Sequence, residues 1–258
     1  MAPVPTMRRN LAELRVDQVA TRIVEDSIVI QPLGAIEQHG PHLPLNTDVL
    51  IANAVATAAV ERVGEEVDAW LLPPLAYTRS NEHSWAPGTI WLRATTLLAV
   101  LDDIGRSIAA TAARKLVFFN GHGGNSAAVN VANREIRLQN GLLTFLAHPS
   151  LPPDQGGASA EEESGMGIHG GADETSLMLH LAANLVDMSA ATRNVPEWLD
   201  ANKHVRFGGP VTFGWTSDDF GGHIGDPTVA TVQRGQQLFE AAAERFCAAL
   251  REISTFEL

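Results

Sequence analysis

Acidic and histidine side chains are concentrated in two short segments, each of which follows an apolar run. The first contains Glu37, His39 and Asp48, and the second contains His122 within the glycine-rich residues NGHGGN. Carboxylate and imidazole groups are the ligands that Zn, Mn and Fe bind in proteins. Glu37 and His39 are two positions apart, so in an extended segment both side chains point the same way. The two segments therefore predict a divalent-metal site.

Each of these residues also has an ordinary structural interpretation. A single histidine or glutamate after a strand is commonly a hydrogen-bonding loop residue, and Asp48 fits a helix N-cap. A glycine-rich turn before a helix also fits a phosphate site. However, Ser126 stands where the dinucleotide fingerprint requires a third glycine, and the turn has no P-loop lysine. It is the combination of residues at two strand ends that favours a metal site.

A third polar segment, HGGADETS, opens a helix further along the chain. Acidic residues at a helix start interact favourably with its dipole, which is the structural interpretation. The functional alternative makes Glu174 a metal ligand or general base and His169 a proton donor. Counting back from the apolar stripe of this helix places Glu174 on the buried face, with Asp173 about 100° away. We therefore predict that Glu174 points towards the metal site and that Asp173 caps the helix or meets a loop.

Strand and helix patterns alternate along the chain and position these three segments. Continuous apolar runs predict buried strands at 27–34, 69–72, 115–119 and 142–147. Helical patterns cover 48–63, 94–113, 125–139, a stretch that begins near 171, and 229–253. Alternation of this kind predicts a mostly parallel sheet covered by helices on both faces. The carboxyl ends of its strands would bring the candidate residues to one edge.

Composition and charge argue against several functional classes. The chain has 258 residues, a net charge of −12 and no basic cluster, which disfavours nucleic-acid binding. No run of 18 apolar residues predicts a membrane span, and no apolar signal sequence stands at the N-terminus, so we expect a cytoplasmic protein. A single cysteine, Cys247, cannot form an internal disulfide. No repeat or linker is visible, so we expect one domain over 1–258.

Five motifs resemble the creatininase (creatinine amidohydrolase) family and occur in the family's order. They are PLGAIEQHGPHLPLNTD (32–48), HSWAPGT (83–89), NGHGGN (120–125), HGGADETSLML (169–179) and IGDPTVAT (224–231). The resemblance implies a three-layer α/β/α fold, two divalent ions per subunit and a homohexamer. It also implies hydrolysis of an amide bond by a metal-activated water. Members of the family open cyclic amides, remove formyl groups or trim a modified peptide in mycofactocin maturation.

The resemblance also assigns roles residue by residue. The motifs match Glu37, His39, Asp48 and His122 to metal ligands, with Asp48 bridging the ions, and His169 to a residue that assists proton transfer. We add Glu174 both as a catalytic residue and as a further ligand. As residues that bind a small-molecule or short-peptide substrate, we expect His83, Trp85, Gly123 and Asp173.

The chain differs from creatininase proper at two points. That enzyme has a ligand glutamate where this chain has Gly124, and Glu174 is our candidate replacement. Creatininase also has tryptophans around its substrate, whereas Pro149–Ile168 contains none. We therefore expect creatinine to be a poor substrate. The alternatives left open are a metal-dependent cyclase or isomerase, a mycofactocin-type precursor peptidase, and a protein that binds a metal or ligand without catalysis.

An irregular segment, Val195–Asp226, carries several large aromatic side chains. These are Trp198, Phe207, Phe213, Trp215 and Phe220. A loop within one subunit rarely buries so many aromatic residues, and exposed apolar patches mark interfaces. The segment therefore adds a physical argument for a homo-oligomer.

Overall fold

A parallel sheet of four strands forms the centre of the protein. The computed structural model describes residues 9–150, 163, 165–197, 201–202, 204–207 and 210–258. The strands are β1 (Ile28–Leu33), β2 (Ala69–Leu71), β3 (Lys115–Asn120) and β4 (Leu143–Ala147). Their order across the sheet is β2-β1-β3-β4, and every pairing is parallel. In register, Ile28 of β1 lies opposite both Ala69 and Lys115.

Six helices of at least seven residues lie around this sheet in the described part of the chain. They are α1 (Val16–Arg22), α2 (Thr47–Val63), α3 (Ala94–Ala109), α4 (Ser126–Asn140), α5 (Ala172–Ala182) and α6 (Val232–Thr255). The helix predicted for 94–113 ends four residues early, because residues 110–113 form a turn in which the Thr111 hydroxyl donates to the Ile108 carbonyl. No described helix combines the length and the hydropathy needed to span a membrane.

The two central strands are buried on both faces, as their continuous apolar runs predict. Alternate residues of β3 face opposite helical layers because side chains alternate along a strand. Val117 and Phe119 pack with α2 and α6, and the Phe119 ring stacks on Phe246 at 4.1 Å. Leu116 and Phe118 pack with α3 and α4 on the other face. The predicted parallel sheet between two helical layers is confirmed.

Helix α5 brings the third polar segment to the carboxyl edge of the sheet. It packs against α2 and against α6. The approach to α6 is so close that a Cβ at Gly235 would lie 1.8 Å from the Ser176 carbonyl oxygen. Glycine at this position therefore lets the two helices pack together. The first turn of α5 then places Glu174 near His39 and Asp48, which come after β1 in the chain.

The described aromatic residues of the segment 195–226 pack inside the subunit. Phe207 and Phe220 are buried, and the partly buried Phe213 and Trp215 lie against them at ring distances between 5.1 and 6.0 Å. The prediction that these residues form an exposed apolar surface is therefore wrong, because they bury one another. Trp198 lies outside the described residues.

Candidate metal centre and substrate cavity

The loops after β1 and β3 bring four of the predicted metal ligands together. Glu37 and His39 follow β1, Asp48 lies in the first turn of α2, and His122 follows β3. All four side chains are buried, and none is more than 5% exposed. Buried carboxylates are unfavourable unless cations or protons balance their charge. The two buried carboxylates of this centre therefore require positive charge, from protons or from cations, to balance them.

Asp48 lies between two imidazole rings. Its Oδ1 is 3.0 Å from His39 Nε2, and its Oδ2 is 3.1 Å from His122 Nδ1. The two oxygens of one carboxylate thus face two different histidines. This is the arrangement needed for a carboxylate shared by two adjacent cation sites.

The outer nitrogens of the same two histidines contact backbone carbonyl groups. His39 Nδ1 lies 3.2 Å from the Glu37 carbonyl oxygen, and His122 Nε2 lies 2.8 Å from the Arg79 carbonyl oxygen. Because a carbonyl only accepts hydrogen bonds, these nitrogens carry the hydrogen. In the neutral imidazole, the inner nitrogen then presents a lone pair to the carboxylates. Either a second proton or a metal cation must lie between them.

In the absence of metal, protons supply this positive charge. Burial disfavours the charged imidazolium, but the surrounding carboxylates outweigh it and raise the pKa of His39 to about 10. The same balance, with Glu37 as the main attracting charge, raises the pKa of His122. Burial would raise the pKa of Asp48, but the facing histidines hold it well below its usual range. The centre thus has a strong affinity for positive charge.

Glu37 provides a second carboxylate with incomplete hydrogen bonding. Its Oε1 lies within 3.3 to 3.8 Å of nitrogens from His39, His83, His122 and His169. Nevertheless, neither this oxygen nor Asp48 Oδ2 makes a hydrogen bond with the described residues. Buried polar atoms are rarely left without a partner, and a bound ion is one explanation. These oxygens therefore suit metal ligation.

Glu174 and Asp173 have different environments although they are adjacent. Glu174 lies with His39 and Asp48, such that ligand atoms of all three are within 4.8 Å of one another. Its Oε2 accepts a 2.6 Å hydrogen bond from the Gly170 backbone N–H. Burial raises the pKa of Glu174 to about 7, although His39 opposes the shift. Asp173 instead forms a 2.6 Å ion pair with Arg234 of α6.

Three groups of potential ligands lie in the described part of the chain. Their members are Glu37, Asp48 and His122; His39, Asp48 and Glu174; and Glu37, His39 and His169. The first two groups share Asp48, and together they use all five predicted metal ligands. Carboxylate and imidazole donors suit Zn, Mn and Fe. The residues present therefore fit a pair of divalent ions.

His83 and His169 lie next to the candidate ligands. Their rings stack at 4.1 Å, and Gln38 Nε2 lies 2.9 Å from His83 Nδ1 and 3.0 Å from His169 Nε2. Burial, followed by the charges of nearby histidines, holds the pKa of His169 well below its usual value. His169 Nε2 donates to the Gln38 carbonyl oxygen at 2.7 Å. Its Nδ1 is therefore the unprotonated nitrogen.

A cavity of about 650 Å³ opens onto this centre. The candidate ligands Glu37, Asp48, His122 and Glu174 line its polar end, with His83 and His169 beside them. Apolar side chains line other parts of the wall, and they include Ile51, Leu98, Val131, Leu177, Phe213 and Trp215. Pockets for small ligands commonly combine an apolar wall with a few convergent polar groups. The cavity thus suits a small or peptide-like ligand.

Of the four predicted substrate-binding residues, His83, Gly123 and Asp173 line the cavity and Trp85 does not. His83 lies in the hydrogen-bond network beside the ligands, and Asp173 lines the cavity while paired with Arg234. Gly123 also lines the cavity, where a Cβ would meet open space. Trp85 is not among the described lining residues, since it is 46% exposed and its indole N–H donates to Ser217 at 2.7 Å.

Several residues of the site were not predicted from the sequence. Ser217 is fully buried, and its hydroxyl lies 2.8 Å from His83 Nδ1, which ties the distant segment 210–226 to the centre. Trp215, from the same segment, lines the cavity where Trp85 was expected. Glu82 and Arg79 also line it. Only Gln38 had a recognisable signal, because it stands between two predicted ligands.

Comparisons with known proteins match most of the chain. The family model described as "Creatininase: Creatinine amidohydrolase" matches residues 12–250. The mycofactocin precursor peptide peptidase of Mycobacterium ulcerans (strain Agy99) is 38% identical over 218 residues, covering 82% of this chain and 79% of the relative. The creatinine amidohydrolase of Pseudomonas putida is 35% identical over 187 residues, covering 66% and 70%.

A solved structure extends the comparison to the fold. A mutant creatininase described as the Zn-Zn type superposes with a TM-score of 0.73 and 27% sequence identity. The superposition covers 96% of this chain and 99% of that chain. The similarity therefore extends over nearly the whole fold.

Proposed function

We propose that this chain, which belongs to the creatininase family, hydrolyses a carbon–nitrogen amide bond with two divalent metal ions that share Asp48. Members of the family are amidohydrolases, so the protein is an enzyme that acts on carbon–nitrogen bonds. The number of ions, the ligand residues and the class of substrate are the parts that we propose.

The observation that carries this proposal is the position of Asp48 between two imidazole rings. Each of its oxygens faces one histidine at 3.0 or 3.1 Å, and the outer nitrogen of each histidine contacts a backbone carbonyl. Glu37, Asp48 and His122 would hold one ion, and His39, Asp48 and Glu174 would hold the other. The Zn-Zn form of a structural relative supports two ions of this kind. Zn, Mn and Fe all suit the donor set.

The roles of the protein's own residues follow from their hydrogen bonds. Divalent ions bound here would acidify a water molecule and polarise the amide carbonyl of the substrate. Neutral His169 has its unprotonated Nδ1 directed into the centre, so it can take a proton from the attacking water. It can then return that proton to the leaving nitrogen, which is the proton-transfer role expected from the sequence. The Gln38 carbonyl oxygen, which accepts from His169 Nε2, and the stacked His83 ring hold the His169 ring in place.

The cavity supports a short peptide, a formamide or a small cyclic amide as substrate. Its volume of about 650 Å³ exceeds the needs of a single small ring, and its wall combines the polar groups of the centre with apolar side chains. A peptide is favoured by the relative named a mycofactocin precursor peptide peptidase, which is 38% identical. Trp215 and Phe213 offer aromatic surfaces to a substrate, and they belong to the segment 210–226 and not to Pro149–Ile168.

Metal removal and isotope labelling test the proposed reaction. We expect chelator-treated protein to lose hydrolysis of short N-acylated peptides, formamides and lactams, and to regain it with Zn, Mn or Fe. Reaction in ¹⁸O-labelled water should place one label in the product carboxylate. A metal-dependent product without the label would favour the alternative of a cyclase or isomerase. Binding without turnover of any amide would favour a non-catalytic protein.

Assembly, domain organisation and location are also proposals. We propose one domain over residues 1–258, a homohexamer and a cytoplasmic location. The described segment 75–92 supports association, because it exposes Tyr77, Trp85, Ile90 and Trp91, each between 42% and 53%. Exposed aromatic and aliphatic groups close together in sequence are typical of interfaces. Light scattering at micromolar concentration should give a mass near six subunits, and a monomer would contradict the proposed assembly.

A further inference from the structure

A single guanidinium group lines the cavity beside the candidate metal centre. Arg79 is the only lysine or arginine among the described residues that form the cavity wall. The other ionisable groups of the described wall are the imidazoles of His83, His122, His148 and His169 and the carboxylates of Glu37, Asp48, Glu82, Asp173 and Glu174. A guanidinium keeps its charge at every physiological pH, and its planar edge matches a carboxylate, so its presence in the wall suggests a specific negatively charged ligand group.

The Arg79 side chain is held on one side only. Its Nη1 donates to the Gly124 carbonyl oxygen at 2.9 Å and to Glu82 Oε1 at 3.2 Å. Its backbone is fixed as well, because Arg79 N–H donates to Asn125 Oδ1 and the Arg79 carbonyl accepts from His122. Within the described part of the chain, Nε and Nη2 make no hydrogen bond. The Nε–Nη2 side of the guanidinium is therefore available to a ligand.

Gly124 leaves room for the Glu82 carboxylate that holds Arg79. A Cβ at position 124 would lie 2.1 Å from Glu82 Oε1, so a side chain there would displace the carboxylate. Glu82 is itself buried, with its side chain 9% exposed. Gly124 is the position at which this chain differs from creatininase proper. The space that a side chain would take there is filled by the Glu82 carboxylate, which orients Arg79.

We propose that Arg79 binds a carboxylate of the substrate and that Glu82 is its positioning residue. An arginine with a free planar edge binds a carboxylate through two parallel hydrogen bonds. Glu82 Oε1 lies 3.7 Å from His122 Nε2, so only one carboxylate separates the guanidinium from a predicted ligand. An extended chain advances about 3.3–3.6 Å per residue, so the recognised carboxylate lies roughly one to three residues from the scissile bond.

This inference rests on the proposed function for the identity of the scissile bond, and it names the substrate class. The substrate is a short N-acylated amino acid or peptide with a free C-terminal carboxylate, or a small cyclic amide that carries one. Neutral cyclic amides lack the group that Arg79 recognises. The same cavity would therefore prefer acids over the corresponding amides.

Binding of an inert ligand pair tests the role of Arg79 independently of turnover. The probes are analogues of N-acetyl-glycyl-leucine in which methylene groups replace both the acetyl and the peptide carbonyl, so that neither C–N bond can be hydrolysed, with a C-terminal carboxylate or carboxamide. We expect calorimetry with zinc-loaded protein to give about ten- to a hundredfold tighter binding of the acid, the range for charged hydrogen bonds. Arg79→Gln should reduce the ratio to about threefold or less, and Arg79→Lys should give an intermediate ratio.

A nearby arginine provides the matched control. Arg93 is exposed and precedes the cavity-lining Ala94, but it does not line the cavity itself. Arg93→Gln should keep the wild-type ratio of acid to amide binding. A wild-type protein without preference, or an unchanged preference in both Arg79 variants, would overturn the proposal. Loss of turnover on every amide, with the binding preference intact, would instead refute the proposed hydrolysis while Arg79 recognition stands.

Discussion

Replacing Glu174 by glutamine should remove one of the two proposed metal ions and spare the other. Glu174 lies with His39 and Asp48, whereas Glu37 and His122 belong to the second group around Asp48. We predict that Glu174→Gln protein binds one divalent ion per subunit where the wild type binds two. Loss of an ion removes several kcal/mol of transition-state stabilisation, so kcat should fall at least about a thousandfold.

The same substitution, which is harmful to metal binding and turnover, should stabilise the fold of the metal-free protein. Burial raises the pKa of Glu174 from 4.5 to about 7. At pH 8 the carboxylate is ionised in the folded and unfolded states, and its burial destabilises the metal-free fold. At about 1.4 kcal/mol per pKa unit, and with some relief from cavity water, the cost is about 2–3 kcal/mol. Below pH 4.5 the group is protonated in both states and the cost disappears.

Metal analysis and urea unfolding together measure both effects. We expect metal-free Glu174→Gln to be about 2–3 kcal/mol more stable than metal-free wild type at pH 8, and equally stable near pH 4. Asp173→Asn is the control, because Asp173 pairs with Arg234 and should change metal content little. Two ions per subunit in Glu174→Gln would remove Glu174 from the ligands. A less stable metal-free variant at pH 8 would refute the reasoning about its burial.

Four further substitutions, of which Gly123→Ala is a control, test other parts of the structure. Asp48→Asn should abolish binding of both ions by mass spectrometry, since both groups use this carboxylate, and one retained ion would show that it is not shared. Gly124→Ala should weaken zinc binding at least about tenfold in chelator competition, because its Cβ would lie 2.1 Å from Glu82 Oε1. Gly123→Ala, which meets open space, should have no effect, and equal affinities in the two variants would contradict the crowding argument. Phe207→Ala should destabilise the fold by about 3–5 kcal/mol in urea, and dissociation of an oligomer without loss of stability would restore the interface interpretation.

The parallel sheet and its helices could be predicted because their burial leaves a periodic signal. Strands β1 and β3 are buried on both faces, so each appears in the sequence as an unbroken apolar run. The carboxyl ends of parallel strands meet at one edge, which brought Glu37, His39 and His122 together in the prediction. The helical period of α5 placed Glu174 beside His39 and Asp48, but Asp173 pairs with Arg234 of α6 and does not cap the helix or meet a loop as predicted. The family resemblance read from five motifs is confirmed by the match over residues 12–250.

The irregular segments could not be predicted because they have no periodic hydrophobic pattern that would indicate which of their residues are buried. Arg79, Glu82 and Ser217 approach the centre through loops whose paths depend on tertiary contacts. The aromatic residues around Phe207 were interpreted as an exposed surface because the sequence does not reveal that they pack on one another. Trp215 rather than Trp85 reaches the cavity for the same reason. Loop residues that determine specificity are thus harder to predict than ligands at strand ends.

Anomalous diffraction from crystals of the zinc-loaded protein, measured at the zinc absorption edge, tests the shared-carboxylate centre most directly. Paired metal sites in hydrolases lie about 3.5–4 Å apart. We predict two anomalous peaks with that separation in each subunit. One should lie between Glu37, Asp48 and His122, and the other between His39, Asp48 and Glu174. A single peak, or peaks away from Asp48, would contradict the proposed two-ion centre.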